Sequence, residues 1–467
     1  MDIIGKLKDL GYTTINSEWY SRVEAWNSWY AGNVKDFHVY TVWNGQAWVD
    51  CKRYSLGMAK KICEDWANLL MNEKVKITLE GDKEQDFIDE VFAENNFEVN
   101  ANELQEKCAA RGTYAIIPRV SGRVTDGKVD GKIILDYITA DRIFPLAWNG
   151  REITQCAFSA VIKQEDKTYI YLQLHVLEGE EYVIKNLFYD SAEGGMNDVP
   201  ASQIEGYQYV PEVVRTHSDK PQFVIGRFNI ANNVDELNPM GIPVYANAID
   251  ILKGVDIAYD SYVNEFVLGK KRVMVQPSAT KKMDGQDVFD PNDVTYYVLP
   301  EDVKDGSLIQ PIDMSLRTAD HKQGLQDQLN LLSAKCGFGE EHYKFDQGSI
   351  ATATQIISEN SEMFRTIKKH EIVLESVLIQ LCRILLRVAN NYLSRGLDED
   401  VEISVDFDDS IIEDKNTDFM RDLQLLSAGI LNDWEFRMRW MNEDEETAKA
   451  ALPKMQALVT EGQDEVE

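Results

Sequence analysis

Residues 352–393 read TATQIISENSEMFRTIKKHEIVLESVLIQLCRILLRVANNYL, and their periodicity predicts one very long helix. Thr352 and Gln355 have capping-box spacing, Arg395 and Gly396 supply a stop, and no proline or glycine intervenes. At the helical rise the segment is about 63 Å long, roughly twice the diameter of a small domain, so it must bridge separate regions. Its first half carries one apolar stripe (Ile356, Met363, Phe364, Ile367) and a wet side bearing Glu359, Glu362, Arg365, Lys368 and Lys369. From Ile372 to Ala389 nearly every face is apolar, which predicts burial. Glu375, Gln380, Arg383 and Arg387 interrupt any run of the roughly 20 apolar residues that a bilayer demands, so the expected surroundings are protein. The expectation is that neighbouring copies of the chain cover this half.

Working outward, 467 residues with 44% hydrophobic content predict two to four compact regions with substantial cores. A formal charge of −31 argues against wrapping nucleic acid by phosphate neutralisation. Two readings of the acidity stay open: a surface that repels DNA, or simple dispersion of a soluble protein. The six cysteines lack any C-x-x-C pair, which predicts reduced, packed thiols, and MDIIGKLKDLGY has no apolar signal-peptide core.

Upstream of the long helix, the first fifty residues are crowded with aromatics, Trp19, Trp26, Trp29, Tyr40, Trp43 and Trp48 among them. Base-stacking platforms normally interleave aromatics with Lys and Arg, which are sparse here, so packing against a core or a neighbour is expected. Amphipathic helices are predicted over 56–71, 86–94 and 101–110, with a strand, VKITLE, after the first. TYAIIPRV, KIILDYI, CAFSAVIK, YIYLQLHVLE and EYVIKNLFY then predict an antiparallel meander on a helical base, an α+β arrangement. Within it, GRVTDGKV at 122–129 has phosphate-loop spacing. Val129 stands where Ser or Thr must hold magnesium, and the segment joins two strands, so a hairpin turn is expected.

Further on, GIPVYANAIDILKGVDIAYDSYVNEFVLGKKRVMV from Gly241 predicts a helix with Asp250, Asp256, Asp260 and Glu265 loading one side. A small β insert (VTYYVL, SLIQPI) separates it from a second helix over 318–335, and the glycine-containing loop GFGEEHYKFDQGS at 337–349 precedes the long helix. Beyond Gly396 an acidic strand, VEISVDF, leads to two or three terminal helices. No G-x-S-x-G, H-E-x-x-H, paired Cys/His metal spacing or complete phosphate loop occurs, so neither catalysis nor a cofactor or metal is expected.

The order of these elements and the wording of GIPVYANAIDILKGVDIAYDSYVNEFVLGKKRVMV, ATATQIISENSEMFRTIKKHE and DKNTDFMRDLQLLSAGILNDWEFR resemble tailed-bacteriophage portal proteins of siphoviruses and prophages of Gram-positive bacteria. The resemblance implies a homo-oligomeric ring, typically a dodecamer, at one capsid vertex of the virion, assembled in the host cytoplasm. Double-stranded DNA would pass through it non-specifically during packaging and ejection. Implied partners are the terminase large subunit, a head-tail adaptor and capsid or scaffold proteins, with no membrane. Carried onto this sequence, 1–240 is a wing, 241–272 and 317–336 are stem helices, 273–316 a clip and 337–349 a tunnel loop. Residues 350–395 are the long wing helix, and 396–467 a wing strand and C-terminal crown. On this reading Asp250, Asp256 and Asp260 are candidate channel-facing acids, and Glu340, Glu341, His342 and Lys344 candidate loop residues near the duplex. The readings from other classes are a nucleic-acid-processing enzyme and a helical scaffold without DNA passage.

Overall fold

A computed structural model describes residues 2–72, 75–125, 128–191, 195–270, 272–280, 296–299, 309–312, 315–344, 353–407, 415–441 and 443–451. Helices and small sheets mix in an α+β fold. The chain divides into two compact units, one of Met1–Ile350 with Glu359–Phe407, the other of Ala351–Ser358 with Asp408–Glu467.

In the first unit the alternating segments form the expected meander. Strands Ile143–Asn149, Glu152–Gln164, Lys167–Glu178, Glu181–Asp190 and Asn197–Asp198 pair antiparallel in that order, and Val213–Arg215 also pairs with Glu181–Asp190. Period-two alternation sends Phe144, Leu146, Ile170, Leu172 and Leu174 into one core, closed by Ile4 and Leu7 of helix Ile3–Asp9. Tyr169, Phe188 and Ile204 form a second, separate cluster. Strands Tyr114–Thr125 and Lys128–Thr139 pair from Tyr114↔Thr139 to Thr125↔Lys128, with Val224–Gly226 on the outer edge of the first. The 122–129 segment therefore joins two paired strands, as its chemistry predicted; residues 126 and 127 lie outside the described set.

Helices Glu18–Tyr30, Met58–Leu70 and Phe97–Arg111 form the base. Trp19, Trp26, Trp29 and Trp66 are buried in it, and the Tyr245 hydroxyl lies 2.8 Å and 3.0 Å from the carbonyl oxygens of Trp26 and Ala110. Gly112, at φ +87°, lets the backbone of Gly241 approach so closely that a Cβ would sit 2.2 Å from the Gly241 carbonyl oxygen. Strand Ile403–Asp406 returns across the whole chain to pair antiparallel with Lys76–Leu79.

The long helix spans Ala353–Leu393, unbroken and within one residue of the expected start; Thr352 lies outside the described residues. One expectation fails. Leu374, Val377, Leu378, Leu381, Cys382, Ile384, Leu385, Leu386, Val388 and Ala389 are buried within a single chain, so this half needs no neighbouring copy for cover. Polar contacts from elsewhere in the chain also tie the helix down. Asn229 holds His370 and the Lys369 carbonyl, Asn391 donates to the Thr216 carbonyl, and Arg387 pairs with Glu399.

Helices Ile249–Leu268 and Thr318–Lys335 pack side by side. A three-stranded sheet lies between them in sequence, Arg272–Val275 flanked by Tyr296–Val298 (parallel) and Ile309–Ile312 (antiparallel). In the second unit, helices Lys415–Ser427 and Asp433–Met441 meet at the Asp422 carboxylate, which accepts from Arg439 (2.7 Å) and Trp440 Nε1 (3.2 Å), and Glu445–Ala450 packs on Asp433–Met441.

Candidate functional site

Two neighbourhoods hold the residues singled out from the sequence: the flank of the 249–268 helix and the segment after the 318–335 helix. On the first, burial separates the three aspartates. Asp250 is the outermost, its side chain 93% exposed and paired with Lys253 at 2.9 Å. Asp256 and Asp260 are only 4% and 6% exposed, and other groups of the same chain occupy their carboxylates. Asp256 Oδ1 accepts from the Leu56 amide (2.8 Å), while its Oδ2 accepts from Ser55 Oγ (3.0 Å) and meets His38 Nε2 (3.0 Å). His38 Nδ1 accepts from the Val34 amide at 2.8 Å, so Nε2 carries the proton and donates. Asp260 accepts from the Tyr54 amide (3.0 Å) and from Asn264 (3.1 Å). One turn on, Glu265 accepts from the Arg317 amide and, bidentately, from its guanidinium, and His321 closes in at 3.2 Å. These bonds, Arg317's first, hold the Glu265 carboxyl down to about 2.

One helix flank thus clamps both ends of a β-hairpin. Strands Val39–Trp43 and Trp48–Lys52 pair antiparallel, their tip turned by Asn44, whose Oδ1 accepts from the Gln46 and Ala47 amides. His38 just before the hairpin and Tyr54 to Leu56 just after it are the groups bound by Asp256 and Asp260. Sequence reasoning missed this role. Acidic residues at helical spacing look the same whether their partners are water or amides two hundred positions away.

The second neighbourhood begins where the 318–335 helix ends. Gly337 and Gly339, both at φ +88°, turn the chain, and Ser333 Oγ donates to the Gly339 carbonyl at 2.5 Å. Trp66 Nε1 donates to the Cys336 carbonyl (3.1 Å), and its ring stacks on Phe338 (centroids 4.7 Å apart), which in turn stacks on His342 (4.6 Å). Tyr343 donates to Asp65 Oδ2 at 3.0 Å, and His342 Nε2 lies 3.6 Å from the same oxygen. Burial works to raise the Asp65 carboxyl, but His342, Lys61 and Tyr343 together hold it below its ordinary value. Glu340 and Glu341 are exposed, and Glu341 pairs with Lys344. Of the four loop candidates, His342 therefore anchors the segment, while Glu340, Glu341 and Lys344 lie at its surface. Residues 345–349 of the expected loop lie outside the described residues. Asp65 and Trp66, which fix this base, had no signal in the sequence beyond an amphipathic stripe.

Among the described residues no group of three or more His, Cys, Asp or Glu side chains is placed to hold a metal ion. Among them, too, no helix is long and apolar enough to cross a membrane.

A family model described as "Phage portal protein, SPP1 Gp6-like" matches residues 11–454. Comparison with curated proteins returns no match. Among solved structures, a chain from the virion of a native gene transfer agent (GTA) particle is similar at 11% identity and a TM-score of 0.35, over 82% of this chain and 87% of that one.

Proposed function

The chain belongs to the SPP1 Gp6-like family of phage portal proteins, and from that premise we propose that copies of it close into a ring, dodecameric as the resemblance implies, at one capsid vertex. The ring is a conduit for double-stranded DNA during packaging and ejection. It also seats the terminase large subunit and the head-tail adaptor, and the parent phage or prophage is a siphovirus of a Gram-positive host. The observation that carries this reading is the family match over nearly the full chain.

The structure offers support element by element. The paired helices Ile249–Leu268 and Thr318–Lys335, with a small sheet between them in sequence, suit a stem (241–272 and 317–336) bearing a clip (273–316). Strand Ile403–Asp406, returning to Lys76–Leu79, suits a wing built from 1–240 and the start of 396–467, with the crown at the chain's end. The segment 337–349, fixed at its base by Trp66 and Asp65, is the tunnel loop, and 350–395 the long helix behind it.

In the channel the proposed task is electrostatic and involves no catalysis. Of the three stem acids we assign Asp250 to face DNA, a choice supported by its 93% exposed side chain, which pairs with the neighbouring Lys253, whereas Asp256 and Asp260 are buried. Like charges about 4 Å apart in water repel by about 1 kcal/mol, enough around a ring to keep phosphates from settling. Lys344 in the loop provides passing phosphate contact, tempered by Glu341. Deletion of residues 339–347 tests the loop's part. Rings and capsids should assemble yet fill poorly with DNA, whereas normal filling removes the loop from the mechanism.

A further inference from the structure

The 39–52 hairpin presents large apolar side chains to solvent on both faces. Antiparallel register puts Trp43 and Trp48 side by side at the tip, ring centroids 5.8 Å apart and 53% and 69% exposed. Val42 and Val49, paired on the opposite face, are exposed as well. A two-stranded hairpin alone in water is marginal at best, and this one has no third strand among the described residues. Two buried carboxylates nonetheless hold both of its ends, so it is built as a fixed arm.

At the root of the same arm lies a recess of about 820 Å³ between Tyr40 and the end of the 249–268 helix, lined also by Ser261, Asn264, Leu268, Arg317 and His321. Leu268 is 59% exposed at its lip. The recess offers an indole pair apolar walls in Tyr40 and Leu268, the flat face of the Arg317 guanidinium, whose edge Glu265 holds, and the side-chain oxygens of Ser261 and Asn264 to accept an indole N–H, beside the Asp260 and Glu265 carboxylates. Charges at the two sites are complementary. Asp50 on the arm and Lys270 beside the recess are both exposed, and neither has an ion-pair partner among the described residues.

Tip and recess cannot meet within one chain. Tyr40 at the recess and Trp43 at the tip lie three residues apart on one extended strand, about 10 Å at the strand rise, which holds the tip away from its own recess. A site and its complement at different places on one subunit make a head-to-tail contact, which closes into a ring when the rotation allows. We infer that the Trp43–Trp48 tip of each copy docks into the Tyr40–Leu268–Arg317 recess of the next copy, making the hairpin the arm that links neighbours. The inference rests on the proposed ring and names the surfaces that hold it together.

The test uses the full-length chain. In Trp43→Ser/Trp48→Ser, ring yield by size-exclusion chromatography with light scattering should fall at least tenfold while circular dichroism of the monomer is unchanged. Separately, Trp48→p-benzoylphenylalanine is photolysed in rings assembled from mixed ¹⁴N and ¹⁵N chains. Mass spectrometry should find inter-chain cross-links to peptides spanning 260–268 or 315–321. Rings of undiminished yield in the double variant, or cross-links confined to one chain or to other segments, overturn the docking while leaving the ring intact. A wild-type chain that never forms rings sinks the conduit reading and this inference with it.

Discussion

Buried between the edges of Phe158 and Phe223, His175 has no hydrogen-bond partner for either ring nitrogen among the described residues, and burial pushes it down to about 3. His370 is likewise pushed down to about 3, first by burial and then by Lys369, while its Nδ1 accepts from the Asn229 amide. A histidine kept neutral when folded but titrating near 6.5 when unfolded leaves the unfolded state holding more protons between those values. Stability is therefore fully present above about pH 6.5 and declines as pH falls toward 3, by up to about 1.4 kcal/mol per pH unit for each group. His175→Phe should flatten that decline and raise stability at pH 5 by about 1–2 kcal/mol, read from urea unfolding at several pH values. An unchanged pH slope would mean that His175 is not kept neutral. Asp256 shows the opposite dependence on partners. Asp256→Ala leaves the donors of His38, Ser55 and Leu56 without an acceptor and should cost about 3 kcal/mol. Faster amide exchange over 39–56 would accompany the loss, and unaltered exchange there would contradict the clamp.

Among elements, those legible in the sequence were the ones whose pattern is local. The 353–393 helix was readable because an uninterrupted apolar periodicity has no competing interpretation at that length, and the 318–335 helix because Leu325, Leu329 and Leu332 stay in register. The meander strands announced themselves by alternation. What covers the apolar half of the long helix was not legible, since a buried face does not record whose atoms bury it. The same limit hid the partners of Asp256 and Asp260, and left the early tryptophans undivided although Trp26 is buried and Trp48 exposed. The loop base belongs to this scale as well. A Cβ at Gly337 would meet Thr366 Cγ2 at 2.9 Å and sit at φ +88°. Gly337→Ala should therefore lower stability by about 1–3 kcal/mol in thermal denaturation and loosen the 337–344 segment in hydrogen exchange. Wild-type stability in that variant would show that the segment relaxes without strain.

For the whole molecule, the structure moves the basis of assembly. The apolar half of the long helix, from Leu374 to Ala389, is buried within its own chain, and the proposed association rests instead on surfaces that one chain leaves exposed: the tryptophan-tipped hairpin and the end of the 249–268 helix. The net charge of −31 fits a body that does not hold DNA, and burial of Asp256 and Asp260 leaves Asp250, exposed beside Lys253, as the stem aspartate for the proposed repulsion. Electron cryomicroscopy of the purified full-length chain tests the conduit directly. The account predicts closed rings whose central opening admits a duplex, with the 249–268 helices around the axis and Asp250 turned toward the lumen. Persistent monomers at assembly concentrations, or rings with those helices on the outer rim, would contradict it.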